Sequence, residues 1–155
     1  LDEKGLPKMV DVSAKPETDR WAEAEAIVIF PEEAWAKLAK DGFTTKKGAI
    51  FDVAITAGTM ALKKTSETIP FCHAIPIEGS SISITPDENN RSLVVRCSVK
   101  TTARTGVEME AMTGASATGL TLYDMTKSLG LGIEISSVRL ISKSGGKSDY
   151  KSKND

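Results

Sequence analysis

Residues 105–127 read TGVEMEAMTGASATGLTLYDMTK, and no other stretch restricts the possible folds as tightly. Ala111, Gly114, Ala115, Ser116, Ala117 and Gly119 give it a smooth surface. A glycine inside an exposed helix costs about 1 kcal/mol relative to alanine. The segment is therefore predicted to be one long helix packed closely on a sheet or on a partner helix. Its polar residues stand at its ends. Glu108 and Glu110 open it; Asp124 and Lys127 close it, three residues apart and so neighbours on one face.

The flanking text supplies the sheet. In 20–30, RWAEAEAIVIF, Trp21, Glu23 and Glu25 alternate with Ala22, Ala24 and Ala26, the period of a strand with one buried face. Pro31, with Glu32 and Glu33 behind it, opens a short helix that Asp41-Gly42 closes. A second helix is predicted over 49–66 from the spacing of Ile50, Val53, Ala54, Ala57 and Ala61. Residues 80–85 and 91–100 alternate as strands around the turn PDENN, a hairpin. After the long helix and Gly130–Gly132, residues 133–142 form a last strand. The order β-α-α-β-β-α-β points to an α+β fold, a ferredoxin-like sandwich of an antiparallel sheet packed against helices. Residues 1–155 are expected to form a single domain, with 1–19 extended and 151–155 a flexible tail.

Charge and composition narrow the function. A formal net charge of -1 leaves no basic excess to neutralise phosphates along a nucleic acid. No apolar run approaches the ~18 residues that a membrane span needs, and 1–12 carry no signal-peptide core, so a cytoplasmic protein is expected. Two cysteines, Cys72 and Cys97, are too few for a disulfide framework.

Four features invite chemistry. His73, the single histidine, lies in the proline-bracketed segment IPFCHAIP, which cannot be regular helix and presents its side chains on a loop. Cys72 beside it raises the question of zinc, but no metal-ligand spacing accompanies it, and no metal or other cofactor is expected. Gly145-Gly146-Lys147-Ser148 resembles the end of a P-loop, yet Ile141 stands where that motif requires glycine. What survives is a two-glycine backbone nest beside Lys143 and Lys147, against which a solvated basic tail is the preferred reading. Lys46-Lys47 precedes the second helix, where phosphate can bind, although a surface lysine pair is more common.

Helix geometry adds a constraint. Glu110 and Asp124 are fourteen residues apart, within about 40° of one face but about 21 Å apart along a continuous helix. Either they belong to different sites, or Glu110 of one chain meets Asp124 of another. The second alternative is favoured, and it predicts a homo-oligomer with an intersubunit site.

Taken together, Met9–Ser13 (MVDVS), IPFCH at 69–73, TGVEMEA at 105–111, LYDMTK at 122–127 and KSGGK at 143–147 resemble, in order and spacing, the cyclic pyranopterin monophosphate synthase family, the MoaC-type enzymes of molybdenum cofactor biosynthesis. The resemblance covers nearly the whole chain. It implies a lyase that acts on a small-molecule cyclised GTP, 3′,8-cyclo-7,8-dihydro-GTP, and releases diphosphate. It implies Asp124 as catalytic acid/base with Lys127 its partner, and Phe71, Cys72, His73, Met109 and Glu110 as substrate contacts. Lys47 and Lys143 would bind the triphosphate, with Glu108 a further polar candidate. It also implies a hexamer built as a trimer of dimers. The chain departs from the family at Ala49, at Phe71 and Ala74, and after Ser148. The alternative function is a non-catalytic nucleotide-sensing oligomer, which would need the lysines but not the Asp124 carboxyl.

Overall fold

The computed structural model describes residues 1–153. β1 (Thr18–Ile29) leads into α1 (Glu32–Lys40), then a two-rung hairpin of β2 (Thr44–Thr45) and β3 (Gly48–Ala49). α2 (Ile50–Leu62) and the single turn α3 (Thr65–Thr68) follow. β4 (Gly79–Asp87) and β5 (Ser92–Ala103) form the second hairpin. α4 (Glu108–Thr126) ends in a 3-10 turn, and β6 (Glu134–Ser144) and β7 (Tyr150–Lys151) complete the chain. The sheet runs β4-β5-β1-β6-β7 with every neighbouring pair antiparallel. This is the α+β, ferredoxin-like sandwich.

Alternation in β1 decides which face the helices cover. Ala22, Ala24, Ala26 and Val28 are fully buried, and α4 lies across β1, β5 and β6. The small residues of α4 are what permit that approach. A Cβ on Gly114 would come within 2.6 Å of the Cys97 sulfur on β5, while one on Gly58 of α2 would meet the Thr118 hydroxyl at 2.1 Å. Glycine at 58 and at 114 thus lets α2, α4 and the sheet pack together, with Leu62 and Leu122 sealing the core. The other β1 face is ionic: Glu25, buried, receives Arg96 at 2.7 Å and Arg139 at 2.9 Å.

Sequence and structure differ at the edges of elements. The helix predicted over 49–66 stops at Leu62 and resumes as a separate turn at Thr65. The long helix begins at Glu108 rather than 105, since Thr105 and Gly106 belong to the turn before it. The β2–β3 hairpin carries no apolar alternation and was invisible to periodicity; Gly48, at φ +109°, makes its turn possible. The tail expected from 151 includes a paired residue, since Tyr150–Lys151 bonds to Ser142–Lys143; residues 154–155 lie outside the described residues. Among the described residues no helix is long and apolar enough to cross a membrane.

Candidate active site

The sheet register brings basic residues from four segments to the N-terminal end of α4. β1 pairs Trp21 with Ser144 and Ala22 with Lys143 of β6, so Arg20 stands beside the 143–147 turn. A cavity of about 370 Å³ opens there, with Lys15, Arg20, Arg104, Lys143 and Lys147 in its wall against a single acid, Glu108. Gly145 and Gly146 complete the wall at φ +84° and +89°, a backbone that favours glycine. Gly145 is also needed for space, because a Cβ there would run into the backbone carbonyl of Asp19 on β1. The Gly145 N–H already donates to Asp149 at 3.1 Å, so the nest is engaged by the chain's own carboxylate.

Glu108 joins this cavity to a second one. Lys143 Nζ donates to Glu108 Oε1 at 2.8 Å. Burial works against the Glu108 charge. The Lys143 hydrogen bond, the helix N–H and the charges of Lys143 and Arg20 outweigh it and hold the pKa below the ordinary value. Thr105, Gly106 and Glu108 then form the near wall of an adjoining cavity of about 350 Å³, whose far wall is Phe71, Cys72, His73, Met109 and Glu110. The loop after α3 supplies the aromatic, the thiol and the imidazole, and the first turn of α4 supplies the rest.

Glu110 is 4% exposed, and among the described residues no cation pairs with it. Burial raises its pKa, its backbone N–H opposes this in part, and the Glu108 charge raises it further. Burial also raises the Cys72 thiol, with a further push from Glu110. Cys72 is thereby a neutral wall group rather than an activated nucleophile. Among the described residues no group of three or more His, Cys, Asp or Glu side chains could hold a metal ion.

A different arrangement occupies the other end of α4. Lys127 Nζ donates to Asp124 Oδ1 at 2.7 Å. From the turn of the β2–β3 hairpin, Lys47 Nζ reaches Oδ2 at 2.7 Å and the Asp124 carbonyl at 2.9 Å. The carboxylate is clamped by both ammoniums although all three side chains are about half exposed. Hydrogen bonds from Lys127 and then Lys47 lower its pKa to about 2, and Asp124 in turn raises that of Lys127.

The expected site residues therefore fall into two groups. Phe71, Cys72, His73, Met109, Glu110 and Lys143 come together at the N-terminal end, and Asp124, Lys127 and Lys47 at the C-terminal end. Because α4 is unbroken over its 19 residues, about 21 Å of helix separates Glu110 from Asp124. Lys47 and Lys143, paired in expectation as triphosphate ligands, are split between the two ends. Arg20, Arg104 and Lys15 were not singled out from the sequence. Arg20 reads there as an ordinary strand residue, and only its pairing with β6 carries it to the glycine turn.

The chain is similar to known proteins over most of its length. The model of the MoaC family matches residues 9–146. A cyclic pyranopterin monophosphate synthase of Xanthomonas oryzae pv. oryzae is 50% identical over 149 residues, covering 96% of this chain and 90% of that protein. The protein of the same name from Syntrophomonas wolfei is 43% identical over 150 residues, 97% of this chain and 94% of its own. A molybdenum cofactor biosynthesis bifunctional protein of Synechocystis is 45% identical over 152 residues, which span 44% of its length.

Proposed function

The chain belongs to the MoaC family, and we infer that it is a lyase of molybdenum cofactor biosynthesis with the activity its relatives are named for: conversion of 3′,8-cyclo-7,8-dihydro-GTP to cyclic pyranopterin monophosphate with release of diphosphate. The observation that supports this site assignment is the pair of adjoining cavities. One is lined by five cations, as a triphosphate requires; the other is ring-sized, with Phe71, Cys72, His73, Met109 and Glu110 in its wall. In this reading the triphosphate lies along Arg20, Arg104, Lys143 and Lys147, and the purine-derived ring enters the second cavity. Glu110, a carboxyl that burial holds toward its protonated form, exchanges protons with the ring nitrogens during ring opening and closure.

The cyclic phosphate forms when a ribose hydroxyl oxygen bonds to the α-phosphorus and the bond from that phosphorus to the diphosphate oxygen breaks. The hydroxyl proton passes to solvent water as the bond forms, and the departing diphosphate needs positive charge. Asp124 and Lys127 fit that second task. With a pKa of about 2, the Asp124 carboxylate does not supply a proton near neutrality. It aims two ammoniums, and Lys127 and Lys47 are the groups that stabilise the charge on the leaving oxygen. This sharpens the acid/base role expected of Asp124 into that of an anchor and weak base.

The helix length leaves each chain with half a site, so a second copy brings Asp124, Lys127 and Lys47 to the cavities of the first. Leu120 and Tyr123, exposed beside Asp124, and Val53 and Met60 on α2 offer apolar area for such a contact. The reading includes a hexamer, a trimer of dimers, working in the cytoplasm with no cofactor. Incubation with the cyclised GTP should release diphosphate. Binding without release would leave the nucleotide-sensing alternative. Mixed oligomers of Asp124→Asn and Glu110→Gln chains should be more active than either parent, and a lack of rescue in well-mixed oligomers would sink the shared site.

A further inference from the structure

The segment before β1 reaches the cationic cavity through Lys15 and Pro16. Met9 and Val10 are exposed, and residues 9–16 form no strand or helix. Two hydrogen bonds shape the segment from within: Asp11 Oδ1 accepts the Ser13 N–H at 2.8 Å, and the Lys15 N–H donates to the Val12 carbonyl at 3.0 Å. Among the described residues, one hydrogen bond ties residues 1–16 to the rest of the molecule. His73 Nε2 lies 2.7 Å from the Val10 carbonyl oxygen. The base of the segment is held separately, by Arg104 and Glu17 at 3.6 Å.

The two ends of this strap stand at the two cavities. Lys15 and Pro16 line the cationic one, and His73, which holds Val10, lines the ring-sized one. Between them the chain bends at the turn closed by the Lys15 N–H and the Val12 carbonyl, and it runs from one rim to the other through that bend. A carbonyl oxygen only accepts, so the proton of this hydrogen bond sits on Nε2. Nε2 is thus committed to the strap, and Nδ1 is the ring nitrogen left to meet anything in the cavity.

We propose that residues 9–16 are a lid over the joint cavity and that His73 is its latch, a positioning residue acting through the Val10 carbonyl. What the lid retains rests on the function inferred above; the latch itself does not. With one fastening hydrogen bond the lid opens readily on its own, as substrate entry requires. Closed, it brings Lys15 to the anion cavity and keeps water from the ring.

Limited trypsin digestion of the full chain tests the latch without turnover. Cleavage after Lys8, next to the strap, should be about 10-fold faster in His73→Ala than in the wild type, as expected for loss of one hydrogen bond. Cleavage after Lys4, outside the latched part, should not change and serves as the internal control. His73→Gln, which keeps an N–H donor, should restore much of the protection. In steady-state kinetics His73→Ala should raise KM about 10-fold with a much smaller change in kcat. Asp11→Ala, which loosens the strap from within, should raise KM too and add little to His73→Ala. Equal Lys8 cleavage in the wild type and His73→Ala would overturn the latch, and so would a fall in kcat at unchanged KM. If the wild type does not turn over cyclised GTP, the function fails while the digestion still decides the latch.

Discussion

The two ends of α4 carry the same functional group in opposite settings. At the N-terminal end Glu110 is buried with no cation beside it among the described residues, and burial favours its protonated form. At the C-terminal end Asp124 is open to water but clamped by Lys47 and Lys127, and its charge is fixed. Desolvation and charge pairing are the two strongest levers on a carboxyl, and one helix applies one at each end. Two titratable groups whose surroundings push their proton affinities apart are the usual signature of divided acid/base labour. Here the two groups are also separated in space, by about 21 Å of helix.

The strongest way to break this contrast is at its charged end. Asp124→Asn should lower kcat by about 10²–10³, because the lysine pair loses its anchor. Substrate binding and thermal midpoint should change little, since the carboxylate is exposed. Full activity would remove Asp124 from the chemistry. Next, Lys143→Ala should raise KM by about 10–100-fold with kcat less affected, from loss of a charge-assisted phosphate contact. A kcat defect alone would place Lys143 outside the anion cavity.

Stability against pH should separate the two ends more finely. The folded pKa of Glu110 is raised, so the folded state holds its proton more tightly than the unfolded chain. Its ionisation costs stability, and the cost appears as pH rises from the unfolded value through the folded one. Glu110→Gln should flatten that decline. Asp124 has the opposite sign. Its contribution, kept small by solvent screening of the exposed carboxylate, is present above the unfolded value of 3.8 and is lost as pH falls toward about 2, a small loss that Asp124→Asn should abolish. Thermal midpoints from pH 2 to 8 for both variants would show it; parallel curves would refute the contrast.

The smallest effects test the rod between the ends. At Gly119 a Cβ would meet Ala26, Val28 and Ile135 no closer than 3.7 Å, an ordinary contact. Gly119→Ala should therefore stabilise by up to about 1 kcal/mol at unchanged activity. Gly114→Ala meets Cys97 sulfur at 2.6 Å and should destabilise by about 1–3 kcal/mol. Denaturant midpoints would distinguish them.

Much of the fold was legible because burial leaves a period. The alternation of β1 and the small-residue surface of α4 each follow from one face meeting the core. The 80–100 hairpin was marked by its turn chemistry. The β2–β3 hairpin was not legible, since four paired residues leave no period. For the same reason Lys47 looked like a surface lysine, although this hairpin is what carries it to Asp124. Gly145-Gly146-Lys147 was visible but ambiguous, because a basic glycine turn is a solvated tail unless something stands opposite. Arg20 stands opposite, by virtue of strand pairing across more than a hundred residues.

By itself the sequence determined the length and continuity of α4, the face it buries, and hence the separation of Glu110 from Asp124. These are local consequences of helical rise and of side-chain size. Only the tertiary structure decided which charges surround each carboxyl. It gave Asp124 two lysines and Glu110 none among the described residues, and it assembled the cationic cavity from Lys15, Arg20, Arg104, Lys143 and Lys147. The physical reason is that a proton affinity depends on everything within a few ångströms in space, and strand register, which no local pattern encodes, chooses those neighbours.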